Sequence, residues 1–143
     1  MKITKTELLH KLQSGVSETE WKEFLENPEF PVSKYNRITL MEMKDARVGQ
    51  EKEVSVNEIL KLRRLLKDFL SEYMKEKPEW WKWIIIVCVY QTYVAEKPMH
   101  PIEVMKIRVR NEAGKTIYEC PGKTEDKNTV CYYCVCQAMP DEE

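Results

Sequence analysis

The stretch from Trp80 to Ala95 is apolar on nearly every side, and it constrains the fold more than any other part of the sequence. Its β-branched residues would also suit a strand, and periodicity cannot separate the two structures in a fully buried segment. Length favours a helix, because about 16 residues is long for a strand. Pro78 and Glu79 suit the first turn of such a helix. We therefore predict a central, buried helix, in which Cys88 is an ordinary small core residue.

Capping-box patterns predict where three other helices begin. Thr4, Ser17 and Ser55 are each followed by a glutamate three positions later, so that hydroxyl and carboxylate can satisfy free backbone N–H groups of the first turn. After Ser55, apolar residues recur at intervals of three and four as far as Tyr73. A looser helical pattern covers residues 33–48. The predicted fold class is mainly α (α+β), a bundle of four or five helices around the central helix.

A change of period predicts a small β-hairpin after the bundle. From Met105 to Arg110, apolar residues alternate with cations, which is typical of a strand with one buried and one exposed face. A turn at residues 111–114 leads to a second strand that ends at Cys120. The strand cations could contact a phosphate backbone, but pairing with a carboxylate such as Glu119 on the neighbouring strand is more economical.

Length and charge limit the possible architectures and partners. A chain of 143 residues supports one core, so we predict a single domain over residues 1–143, with a helical scaffold (1–97) and a hairpin with a metal-binding tail (98–143). The net charge of −1 gives no general attraction to nucleic acid or to an anionic membrane. The N-terminus lacks the apolar segment of a signal peptide, which indicates a cytoplasmic protein with reduced cysteines.

Four of the five cysteines are concentrated between residues 120 and 136. Cys131 and Cys134 form a Cys-x-x-Cys pair, which can direct two thiolates at one metal ion from a single turn. Cys120, at the end of the hairpin, supplies a third thiolate from another direction. A tetrahedral site needs a fourth ligand, and the candidates are His100, held between two prolines, and Cys136.

Zinc is the favoured metal, because it binds thiolate and imidazole and would stabilise a tail too small to fold alone. An iron-sulfur cluster is the alternative, since Cys-Pro and Cys-x-x-Cys elements also occur in such sites. A redox pair of Cys131 and Cys134 is disfavoured, because the expected βαβ context is absent from the sequence pattern. The sequence contains no recognisable acid-base pair, activated nucleophile or phosphate-binding glycine loop, so an enzyme is not indicated.

Three segments of the C-terminal third form a combined pattern: residues 90–101 with Pro-x-His-Pro, residues 118–121 with Cys-Pro, and residues 131–134 with Cys-x-x-Cys. In this combination they resemble an uncharacterised family known mainly from methanogenic archaea, domain of unknown function 2115. The resemblance implies that His100 and the cysteines of these segments belong to one shared pattern, which favours His100 over Cys136 as fourth ligand. It implies no activity, because the family has none assigned.

Together these features predict a non-enzymatic cytoplasmic protein, stabilised by zinc, that binds another macromolecule. A protein is the expected partner, a nucleic acid is weakly supported by the strand cations, and no membrane association is expected. The alternative function is an iron-sulfur or redox protein of anaerobic metabolism.

Overall fold

The computed structural model describes residues 1–139, in which helices are combined with two small sheets and 53% of the structure is helical. The predicted tail runs on to residue 143, and residues 140–143 lie outside the described residues. In chain order the elements are β1 (Lys2–Thr4), α1 (Lys5–Ser14), α2 (Glu18–Glu26), α3 (Lys34–Lys44), β2 (Glu53–Ser55), α4 (Val56–Tyr73), a 3-10 turn (Pro78–Trp80), α5 (Trp81–Tyr90), a π-helical segment (Gln91–Ala95), α6 (Ile102–Met105), β3 (Arg108–Glu112), β4 (Lys115–Cys120), α7 (Val130–Tyr133) and β5 (Gln137–Ala138).

The three predicted helix starts are confirmed. Thr4 and Ser17 form complete capping boxes at the beginning of α1 and α2, with hydrogen bonds in both directions between cap and third residue. Ser55 caps α4 by accepting a hydrogen bond from the backbone N–H of Glu58. A side-chain cap satisfies one N–H that the first turn leaves unpaired, so these residues fix where each helix begins.

The central segment is helical, as predicted, but it is not one continuous α-helix. After α5 the backbone widens into π-helical turns at Gln91–Ala95 and stops at Glu96, which has a left-handed backbone with φ 52°. The side chain of Gln91 is fully buried, and its Nε2 donates to Thr39 Oγ1 over 3.4 Å. Val87 and Val89 are also buried, where α5 packs between α3 and α4.

Three short strands, β1, β2 and β5, were not predicted from the sequence. β1 pairs with β2 in antiparallel register, with Ile3 opposite Val54. β3 and β4 form the predicted hairpin, and β5 adds a parallel strand beside β4, with Glu119 opposite Gln137. Strands of two or three residues are too short to show a period of two, so pattern analysis misses them.

The predicted start of the hairpin was wrong by three residues. Met105 lies in α6, which ends at Lys106 in a left-handed conformation with φ 53°, and β3 begins only at Arg108. Ile107 is buried as expected, but Val109 is 44% exposed. Lys106 reverses the chain after α6. The alternation of apolar and charged residues in the sequence therefore begins before the strand begins in the structure.

None of the helices within residues 1–139 has the length and apolar composition needed to cross a membrane.

Candidate metal centre

Lys123 holds the turn that bears the Cys-x-x-Cys pair. Its Nζ donates hydrogen bonds to the carbonyl oxygens of Cys131, Tyr132 and Cys134, at 2.9, 2.8 and 2.7 Å. Because α7 has only four residues, few of its carbonyls can be paired within the helix. The ammonium group of Lys123 therefore donates the hydrogen bonds that these carbonyl oxygens do not receive within the helix. Lys123 could not be recognised from the sequence, because a lone lysine two residues after Cys-Pro matches no known motif.

Three of the tail cysteines pack into one small cluster at the base of the hairpin. Cys120, at the end of β4, and Cys136, just before β5, are buried there together with Ile107. Cys134 packs against this cluster and is half-buried. The parallel pairing of β5 with β4 brings the chain back beside Cys120.

Cys131 is partly exposed and is not a member of this cluster. Its Sγ donates to the carbonyl oxygen of Gly122 over 3.5 Å. A Cβ placed on Gly122 would lie 3.9 Å from Cys120 Sγ. The sulfurs of Cys131 and Cys120 therefore both lie near Gly122.

The neighbouring thiols of Cys134 and Cys136 have pKa values that shift in opposite directions. Interaction with the Cys136 thiol is the main cause that lowers the pKa of Cys134, helped by backbone N–H groups of Cys136 and Met99 and by the charge of Lys123. The same interaction, together with burial, raises the pKa of Cys136. The lowered pKa favours the thiolate form of Cys134, and the thiolate is the form that binds metal.

Cys88 is a neutral thiol of the core, as predicted. Burial raises the pKa of Cys88 to about 12, and the neighbouring Cys134 adds to this effect. It belongs to the same core cluster as Val89 and Met99, against which Cys134 packs from the tail.

His100 is not drawn into the sulfur cluster. Its side chain is exposed and makes no hydrogen bond to any of residues 1–139. It does follow directly on Met99, whose backbone N–H donates to Cys134 Sγ over 3.5 Å. The structure thus brings Cys120, Cys134 and Cys136 together and leaves His100 beside them, facing solvent.

As the side chains stand, no group of three or more histidine, cysteine, aspartate or glutamate residues within positions 1–139 could hold a metal ion. In a tetrahedral zinc site each sulfur lies about 2.3 Å from the metal, so neighbouring sulfurs are about 3.8 Å apart. Cys120, Cys134 and Cys136 share one cluster. Cys131 lies outside it and is hydrogen-bonded to the carbonyl oxygen of Gly122. The four cysteines could supply all four sulfur ligands of a zinc site, but their side chains are not arranged around one metal position.

The strand cations are engaged with a carboxylate, as predicted. Glu119 is only 3% exposed, and one of its oxygens accepts hydrogen bonds from Arg108 Nε at 2.9 Å and Arg110 Nε at 3.1 Å. The hydrogen bond from Arg108 is the main cause that lowers the pKa of Glu119. Arg110 also pairs with Glu112, so two carboxylates balance the charge of these two arginines within the hairpin.

The chain belongs to the family described as "Uncharacterized protein conserved in archaea (DUF2115)", whose profile matches residues 4–139. The match extends the resemblance seen in the C-terminal third to essentially the whole described chain. No curated protein and no solved structure gives a significant match.

Proposed function

We propose that this member of the archaeal family is a non-enzymatic cytoplasmic protein in which a zinc ion fixes the C-terminal tail for binding to a partner protein. The proposed ligands are Cys120, Cys131, Cys134 and Cys136. The main support for the proposal is that Cys120, Cys134 and Cys136 pack into one cluster. They come from the end of one strand, the position just before another and the turn that leads to it. Four thiolates form a closed structural zinc set, with no open position for a substrate.

The need for a metal follows from the small size of the tail core. Apart from the cysteines, the cluster contains Ile107 and the partly buried Met105 and Tyr118. A helix of four residues and a strand of two give little further stability. Zinc binding can supply the folding free energy that such a segment lacks.

Completion of the site requires one change in geometry. The thiol of Cys131 would have to leave the carbonyl of Gly122 and turn towards Cys134. His100 is the alternative fourth ligand, because it adjoins Met99 next to Cys134 and belongs to the Pro-x-His-Pro element. The packing of buried Cys136 with Cys120 and Cys134 in one cluster supports the all-cysteine set.

A protein partner is supported by four apolar side chains that remain exposed within residues 98–139. Exposed apolar side chains can pack against a partner protein. Nucleic acid is the less supported partner, because Arg108 and Arg110 are already paired with Glu119 and so have less charge to offer a phosphate. The exposed apolar residues of this region are Ile102, Val104, Val109 and Tyr132.

Metal analysis of cysteine variants tests the proposal. We expect one zinc per chain in protein purified under reducing conditions, and loss of that zinc in Cys134→Ser. Cys88→Ser is the matched control, because Cys88 is a buried core thiol outside the proposed ligand set, and it should retain zinc. A wild-type protein that neither contains zinc nor takes it up would overturn the proposal.

The second candidate is an iron-sulfur or redox protein, and the packing of Cys134 with Cys120 and Cys136 in one cluster is the observation that favours it. Cysteine thiolates hold such clusters as well as zinc. Anaerobic purification separates the two functions. Brown protein that contains iron and acid-labile sulfide would establish the cluster, whereas colourless protein with stoichiometric zinc would exclude it.

A further inference from the structure

A second candidate site lies in a cavity of about 500 Å³ between α1, α4 and α5. Its volume is in the range of small-molecule sites, about 300 to 1,000 Å³. None of the tail cysteines lines it among the described residues, so it is separate from the candidate metal centre.

The walls of this cavity are mostly apolar and come mainly from three helices. Apolar lining residues of these helices include Leu8, Leu12, Ile59, Ile85 and Val89. Leu8, Ile59 and Val89 are buried, and their positions are fixed by the packing of the core. Apolar ligand surface placed here would be removed from water at no cost in buried polar groups.

The charged residues that line the cavity are all cations. They are Lys11 of α1, Arg63 of α4 and Lys82 of α5, and no carboxylate is among the lining residues described. Lys82 is bound to Glu20 at 2.8 Å. Lys11 and Arg63 form no salt bridge with any residue from 1 to 139. In a protein with a net charge of −1, this is a local positive potential beside apolar walls.

We propose that the cavity binds an amphipathic carboxylate, a molecule with one anionic head and an apolar chain. The chain lies between α1, α4 and α5, and the carboxylate pairs with Arg63 and Lys11. A guanidinium group can form two parallel hydrogen bonds to a carboxylate, which makes Arg63 the residue that selects the head group. The combination of apolar walls and a few placed polar groups is typical of ligand sites.

Calorimetric titration of the full-length protein with dodecanoate, below its micelle concentration, tests this proposal. We expect one dodecanoate per chain, and an affinity reduced about tenfold in Arg63→Gln, as expected for the loss of a charge-assisted pair. Arg64→Gln is the matched control, because Arg64 is also exposed on α4 but does not line the cavity, and its affinity should equal that of the wild type.

Two further ligands separate the contributions of head group and chain. Dodecyltrimethylammonium, with the same chain and opposite charge, and acetate, with the head group alone, should each bind much more weakly than dodecanoate. The proposal is overturned if dodecanoate does not bind, if the cationic analogue binds as tightly, or if Arg63→Gln and Arg64→Gln weaken binding equally. Because no cysteine is involved, the result is independent of the zinc content.

Discussion

The backbone N–H of Met99 donates a hydrogen bond to the sulfur of Cys134 across 3.5 Å. Met99 is buried in the same core cluster as Val89 of the central helix, and Cys134 belongs to the tail. The bond therefore joins the helical body directly to the proposed metal centre. Since N–H donors to sulfur favour the thiolate, this bond helps to lower the pKa of Cys134.

The lysine that spans the Cys-x-x-Cys turn should be essential for its order. In Lys123→Met three carbonyl oxygens lose their hydrogen-bond partner, and we expect the tail to lose about 2 kcal/mol of local stability, the usual range for hydrogen bonds to a charged group. Hydrogen exchange should then be faster at residues 130–138. Lys127→Met, at an exposed position in the same segment, is the control. Equal exchange in both variants would contradict the assigned role of Lys123.

The helical scaffold can be tested at two leucines of α4. Leu62 is fully buried, and Leu62→Ala should lower the free energy of unfolding by about 2 to 5 kcal/mol, because it leaves a cavity in the core. Leu60→Ala, two residues away on the same helix and 56% exposed, should change it by only about 0.5 kcal/mol. Urea denaturation measures both values. Similar losses would mean that α4 packs with a different face.

The salt bridge between Glu20 of α2 and Lys82 of α5 should affect how the stability of the protein changes at acidic pH. The hydrogen bond from Lys82 holds the pKa of Glu20 below its ordinary value. A lowered folded pKa adds stability above the unfolded pKa of about 4.3, and this stability is lost as pH falls through the folded pKa.

We therefore expect Glu20→Gln to lower the melting temperature at pH 7. Below pH about 4.3, the melting temperature of this variant should fall less steeply than that of the wild type. The difference should not exceed about 1 kcal/mol, since the pair is partly exposed. Glu23→Gln, at an exposed position on the same helix, should follow the wild-type curve. Parallel curves for Glu20→Gln and the wild type would show that the salt bridge is not formed.

Local signals in the sequence were sufficient to predict most of the helical body. Capping at Thr4, Ser17 and Ser55 depends on residues only three positions apart, and such interactions are visible in the sequence. The hairpin was also predictable, together with the pairing of its arginines with Glu119. The π-helical end of the central helix could not be predicted from the sequence pattern. The burial of the polar Gln91 against Thr39 depends on tertiary contacts.

The candidate site was predictable in its residues but not in its geometry. Clustering in the sequence identified the four tail cysteines, and the structure brings Cys120, Cys134 and Cys136 together. The sequence could not indicate that a two-residue strand beside β4 would bury Cys136, nor that Lys123 would bind three carbonyls. Both features depend on how the tail folds back, which no periodic pattern encodes.

X-ray absorption at the zinc edge of the purified wild-type protein tests the central claim most directly. The proposed site predicts four sulfur neighbours at about 2.3 Å from the zinc. Three sulfur neighbours and one nitrogen neighbour would indicate that His100, in place of Cys136, is the fourth ligand. A shell of oxygen and nitrogen without sulfur, or a protein to which zinc does not bind at all, would contradict the account.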